Sequence, residues 1–153
     1  MDGNVALVTG AGSGLGAAIA RRLAADGAYV VVNDLREDTA GPIAEEVKGE
    51  TAVFDVTDAP AFDAAVDRVV VDRGRIDILV NNAGILIDRP DAMERSMAEM
   101  MSRMGGNAPQ PVRVLSTLTD EEFDRTIKVH LYGTFHGMRA ALRHMEVARH
   151  GAI

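Results

Sequence analysis

The residues best able to do chemistry lie in a few short stretches. Thr9-Gly10-Ala11-Gly12-Ser13-Gly14-Leu15-Gly16 follows an apolar run and opens a helical pattern. At such a junction, unpaired amide N–H groups and the positive end of the helix dipole can hold a pyrophosphate, and glycines let the backbone approach it. A tight turn without ligand is the plain alternative. A nucleoside-triphosphate loop is excluded, because Ala17 follows Gly16 where that loop needs lysine. Asp34 ends the next apolar run, where a carboxylate can accept hydrogen bonds from an adenosine ribose. A phosphate on that ribose would meet the carboxylate at a cost on the order of a few kcal/mol, which favours NAD over NADP. Asp34 can equally cap a turn, and Arg36 can offset part of that repulsion. His130, His136, His144 and His150 stand six, eight and six apart. None is paired at the i, i+4 separation of a helical zinc motif, so no metal is expected.

Composition limits what surrounds these groups. The chain has 153 residues, 16 basic and 23 acidic, for a net charge of −7. That balance argues against broad contact with nucleic acid or an anionic membrane, so any phosphate must be held locally. At this length one domain burying roughly 70% of the extended chain's surface is expected. No apolar stretch reaches the length of a membrane span or a signal peptide. With no cysteine in the chain, a cytoplasmic setting is the expectation.

The elements that must position the candidates alternate. Apolar runs at Val5 to Thr9, Tyr29 to Asn33, Thr51 to Phe54 and Ile76 to Val80 read as strands. Between them, Leu15, Ala18, Ile19 and Leu23 mark a helix stopped by Asp26-Gly27, and Asp38 or Thr39 caps one ended by Gly49. Asp58 before Ala59-Pro60 starts a third helix, whose buried face is Phe62, Val66, Val69 and Val70. Strands apolar on both faces, joined by right-handed crossovers, predict a doubly wound parallel α/β sheet. Asp91 to Met104 reads as a helix with a stripe of Met93, Met97, Met100, Met101 and Met104, either a substrate-facing lid or packed core or partner surface. Gly105-Gly106-Asn107 stops it, and Pro109 and Pro111 fall in loop. A capping box at Thr119-Asp120-Glu121-Glu122 opens a long helix to about Val147. Its Phe123, Ile127, Leu131 and Leu142 are expected to form one wall of the sheet and a possible subunit contact. Arg149 to Ile153 reads as the start of another strand.

Three of these features together resemble a family. The Thr-Gly-x-x-x-Gly-x-Gly spacing of Thr9 to Gly16, Asn81-Asn82-Ala83-Gly84 after the fourth strand, and Asp55-Val56 after the third are similar to the short-chain dehydrogenase/reductase family. The resemblance runs along the chain except from about Leu86 to Leu118, which is longer than the family's usual connection. It implies one NAD(P)-binding Rossmann-like domain over residues 1–153, incomplete after the fourth strand and the long helix, with 85–118 as an atypical insertion. It implies that Gly10, Ser13, Gly14, Leu15 and Gly16 surround the pyrophosphate and the nicotinamide-side ribose, and that Asp34 binds the adenosine ribose. Asp55 and Val56 would flank adenine, and Asn82, Ala83 and Gly84 would lie along the cofactor. Thr9 and Asn82 would bond across adjacent strands, and a purely structural role for Asn82 stands beside ligand contact.

Two departures bear on activity. Where the family's long helix carries an asparagine that bends it and supports a proton relay, this sequence has His130, three residues before Gly133. Imidazole can serve that relay, or His130 can be a partly buried helix residue. The family also needs a serine and a tyrosine with lysine four residues on. Here Tyr29 is followed at that distance by Asn33, and Tyr132 by His136. The expectation is the amino-terminal part of a longer oxidoreductase, a homo-oligomer when full length, inactive alone, with Ile78-Leu79-Val80 as an open edge. It would move hydride between NAD and a small-molecule carbonyl or secondary alcohol. The alternative is a non-catalytic dinucleotide-binding or assembly module.

Overall fold

In the computed structural model, which describes residues 1–86, 90–105 and 115–153, four parallel strands form one sheet in the order β3-β2-β1-β4. The strands are β1 (Val5–Val8), β2 (Tyr29–Asp34), β3 (Glu50–Val53) and β4 (Ile78–Val80). Leu7 sits beside Val31 on one flank and Leu79 on the other, so the register brings the strands' carboxyl ends together.

Side chains alternate across the pleat and build two cores. Leu7, Val31 and Leu79 face α3 (Ala59–Arg73) and α6 (Gly133–Ala148), where Phe62, Val66, Ala140 and Met145 complete a buried cluster. Val8, Val30 and Val32 face α1 (Gly14–Ala25) and α2 (Glu37–Glu46), packing on Ala17, Ala20, Ala40 and Ile43. This is the doubly wound sheet that the apolar runs predict. Because β4 lies beyond β1 while β2 and β3 lie on its other side, the chain reverses its winding between β1 and β4. In sheets of this kind a ligand crevice lies at that reversal, outside the strands' carboxyl ends.

Local chemistry explains the boundaries. The Asp58 side chain accepts from the Ala61 amide, and Gly74 closes α3 in the left-handed region at φ +78°. Around α2 the capping expectation is corrected: the helix begins at Glu37 after an extended Arg36, and the Thr39 hydroxyl donates to the Arg36 carbonyl. Lys48, not Gly49, takes the left-handed conformation at φ +54°. Gly49 is needed for closeness, since a Cβ there would stand 2.0 Å from the Val30 carbonyl oxygen. Asp77, 2% exposed, accepts from the Val5 amide and from Arg75 at the opposite end of the sheet from the crevice.

The β4 edge, expected to be open, is covered at one point. Ala152 pairs in parallel with Ile78, donating to the Asp77 carbonyl at 2.8 Å and accepting from the Leu79 amide at 3.0 Å. The long helix is also not one uniform element. Lys128–Tyr132 is a π turn, with the Gly133 amide bonded to the Lys128 carbonyl five residues back. Residues 1–85 and 127–153 form one compact unit, and 86–126 form another.

The second unit contains α4 (Pro90–Met104), a short 3-10 turn at Leu115–Thr117 and most of α5 (Asp120–Ile127). The capping box is present: the Thr119 hydroxyl accepts from the Glu122 amide, and Glu122 accepts from the Thr119 amide. Met97, Met100, Met101 and Met104 are 62–75% exposed, so these four are not packed core. Gly106, Asn107, Pro109 and Pro111 lie outside the described residues. Among the described residues no helix is long and apolar enough to cross a membrane.

Candidate functional site

The loop from Thr9 to Gly16 leaves β1 and enters α1 at the crevice. Its glycines divide by what a side chain would meet. A Cβ on Gly10 would lie 2.9 Å from the Ala83 Cα, one on Gly12 would lie 2.6 Å from Asp34 Oδ2, and one on Gly16 would lie 2.3 Å from the Gly10 carbonyl oxygen. These three close approaches are within the protein itself. Gly14 differs: its φ is +53° and nothing lies within 4 Å of a Cβ built on it. Ser13 precedes α1 in extended conformation without a side-chain cap, and the first intrahelical bond is from the Ala17 amide to the Ser13 carbonyl. The amides of Gly14, Leu15 and Gly16 therefore have no acceptor among the described residues. Gly14 and Leu15 are exposed and Gly16 is buried, and free donors at a helix start suit an anion.

Around this cradle the other candidates are tied in place. Asp34 accepts from the Gly12 amide at 3.0 Å and, through its second oxygen, from the Leu35 amide at 2.8 Å, so it turns back toward the loop. Arg36 donates to Asp38 at 2.9 Å. The Asp55 carboxylate accepts from the Thr57 amide at 2.8 Å and fixes the turn after β3. Val56 is buried in the core beside Gly133, and its carbonyl lies 3.1 Å from His136 Nδ1.

On the β4 side, Thr9 is 1% exposed and its hydroxyl makes three hydrogen bonds. It donates to the Val80 carbonyl and accepts from the amides of Asn82 and Ala83. Asn82 Nδ2 donates in turn to the carbonyls of Thr9 and Gly10 at 3.0 and 3.1 Å. The cross-strand link implied by the resemblance is present, and it occupies the donor end of the Asn82 side chain. Ala83 is half-buried, and Gly84 is exposed against the ring of His130. His130 itself sits in the π turn, an element that often marks functional positions.

Sequence reasoning missed some contributors. Asn33, 1% exposed, donates to the carbonyls of Ala52 and Phe54 and accepts from the Gly10 amide. It joins β2 to β3 and to the glycine loop. A polar residue ending an otherwise apolar strand was the available signal. His136 is buried at 9% exposure. Gly133, Gly137, Ala140, Ala141 and Met145, rather than Leu131 and Leu142, form the buried face of α6, and Leu131, Leu142 and Phe123 are exposed. No cluster of three or more potential ligands for a metal occurs among the described residues.

Comparison with known proteins agrees with this layout. D-threitol dehydrogenase of Mycolicibacterium smegmatis is 37% identical over 158 residues, covering 100% of this chain and 52% of that protein. A gluconate 5-dehydrogenase of Burkholderia cenocepacia, solved in complex with NADP and tartrate, superposes with TM-score 0.76 at 35% identity, over 99% of this chain and 52% of that one. A 3-ketoacyl-(acyl-carrier-protein) reductase of Brucella melitensis, complexed with NADH, gives TM-score 0.76 at 32% identity, over 95% and 51% of the two chains. The chain thus spans about half the length of the relatives it matches. The sequence profile described as short chain dehydrogenase matches residues 4–153. With that match added to the glycine loop and the Asn81–Gly84 turn at facing strand ends, the chain belongs to the short chain dehydrogenase family.

Proposed function

We propose that this chain supplies the dinucleotide-binding part of an oxidoreductase that transfers hydride between NAD and a carbonyl or secondary alcohol. The observation that carries the reading is the cradle before α1. Three amides at the start of α1 have no acceptor among the described residues, the space beyond Gly14 is open, and the Asp34 carboxylate is bonded to the Gly12 amide of the same loop. The residues present fit a nicotinamide dinucleotide, which when bound supplies the hydride donor or acceptor. Gly14, Leu15 and Gly16, with Gly10 and Ser13, receive the diphosphate through backbone amides. Asp34 accepts from the adenosine ribose, Asp55 and Val56 flank adenine, and Asn82, Ala83 and Gly84 run along the cofactor.

The preference for NAD rests on Asp34. Its carboxylate is oriented by two amides, and Arg36, the nearest basic residue in sequence, is engaged with Asp38. Relatives of both kinds exist, one solved with NADP and one with NADH. Isothermal titration calorimetry on the purified chain tests this directly. NAD is expected to bind roughly a hundredfold more tightly than NADP. Equal or reversed affinities refute the NAD assignment, and no binding of either refutes the dinucleotide reading.

The chain assayed alone is expected to bind without turnover, since neither of its tyrosines, Tyr29 and Tyr132, stands four residues before a lysine. The proposal includes residues 85–118 as an insertion, in keeping with the separate compactness of 86–126. It also includes a homo-oligomer. Leu131, Phe135, Met138 and Leu142 are exposed at spacings of four, three and four, the seam spacing of paired helices. Sedimentation of the native protein as a monomer at micromolar concentration would remove that part.

A further inference from the structure

The His130 ring reaches from the π turn to the segment that follows β4. Its Nε2 lies 3.0 Å from the Ile85 amide nitrogen and 2.8 Å from the Ile85 carbonyl oxygen. A ring nitrogen either carries a hydrogen and donates or presents its lone pair and accepts. One atom is therefore placed between two partners and satisfies one at a time. Gly84 makes the approach possible, because a Cβ there would stand 2.7 Å from His130 Cε1. The π turn holds the ring from its own side, with the Thr134 hydroxyl donating to the His130 carbonyl at 2.7 Å. At the other end of the same short segment, the Ala83 amide is fixed by the Thr9 hydroxyl. Residues 83–85 are thus anchored twice, once by a hydroxyl and once by a ring nitrogen whose role depends on where its hydrogen sits.

We propose that His130 is a positioning residue whose single Nε2 contact to Ile85 sets how firmly residues 83–85 are held against the dinucleotide. This rests on the reading of Asn82, Ala83 and Gly84 as lining the cofactor. With the ring hydrogen on Nδ1, Nε2 accepts from the Ile85 amide and leaves the carbonyl. With a hydrogen on Nε2, as in the other tautomer and in the protonated ring, it donates to the carbonyl and leaves the amide. What residues 83–85 present to the ring is main chain and apolar side chain, and among the described residues no carboxylate or cationic side chain forms an ion pair or hydrogen bond with it. Protonation is therefore answered by the Ile85 carbonyl. A carboxamide of similar reach carries donor and acceptor together and satisfies both partners at every pH.

The test compares the native chain with His130→Ala and His130→Gln. Three quantities are read: exchange of the Ile85 amide by NMR, corrected for intrinsic exchange; the ring tautomer from nitrogen shifts; and NAD affinity. Removing the contact should speed Ile85 exchange by about tenfold or more and weaken NAD by roughly fivefold. Glutamine should restore both to within about twofold and abolish the pH dependence of corrected exchange seen with histidine. Unchanged Ile85 exchange and affinity in His130→Ala, or failure of glutamine to rescue, overturns the proposal. If the native chain binds no dinucleotide, the functional reading fails, and the exchange and tautomer data still decide the role of His130. Unfolding of His130→Ala moves the decision to His130→Gln, where pH-dependent Ile85 exchange like that of the native ring contradicts the proposal.

Discussion

Gly14→Leu should abolish dinucleotide binding in a chain that stays folded, and the structure allows the two effects to be separated. Gly14 has φ +53° with open space beyond its Cβ direction, so leucine there meets backbone strain and no clash. A left-handed conformation costs a residue with a Cβ roughly 1–2 kcal/mol, which at this size lowers the melting temperature by about 2–8 °C. Gly74 is the matched control, because it has φ +78°, is equally open, and ends α3 at the far end of the sheet. Gly74→Leu should therefore lose similar stability and keep its affinity. On the proposed reading, the side chain at Gly14 takes the open space that the diphosphate would occupy. Each hydrogen bond to a charged diphosphate contributes about 1.5–3 kcal/mol, so losing two weakens binding by more than about a hundredfold. Calorimetric titration with NAD, beside thermal melts followed by circular dichroism, measures both. An unchanged titration in folded Gly14→Leu refutes the reasoning, as does equal loss of binding in Gly74→Leu.

Asp34→Asn keeps an acceptor for the Gly12 amide while removing the charge, so NADP affinity should rise by roughly ten- to a hundredfold with little change in melting temperature; titration with both cofactors checks it. Thr9→Val conserves shape and removes three hydrogen bonds, leaving the Asn82 and Ala83 amides without their partner. It should cost about 2–4 kcal/mol in urea unfolding and weaken NAD binding as well. Burial acts to raise the Asp77 carboxyl pKa, but the Arg75 hydrogen bonds and the Val5 amide outweigh it and hold the group below its ordinary value of 3.8. Its stabilising contribution is thus complete above about that pH and is lost as acid protonates the folded form. Asp77→Asn should lower stability by about 1–3 kcal/mol near neutrality and by progressively less below pH 3.8, read from denaturant midpoints against pH.

The parts of this architecture that local chemistry dictates were legible in the sequence. Unbroken apolar runs located all four strands, Asp58 marked the start of α3, and the Thr119 capping box opened α5. What escaped depends on contacts between distant segments. Asn33 and Asp77 look like polar residues at strand ends until the fold sets β3, the glycine loop and the start of β1 beside them. Lys48 takes a left-handed conformation just before Gly49, whose close approach to Val30 is set by the fold. The three loop glycines that pack on Ala83, Asp34 and Gly10 cannot be told by spacing from the one that opens on the cradle. His136 and the small residues of α6 are buried because α6 packs closely on β4 and α3, which leaves Leu131 and Leu142 outside.

The central claim is that bare amides of the loop hold the diphosphate. A two-dimensional nitrogen–proton NMR titration of the labelled chain with NAD reads those amides individually. The Gly14, Leu15 and Gly16 resonances should move downfield together, saturating at the calorimetric affinity, while Gly74 stays still. Saturable binding that leaves those three resonances in place would contradict the account.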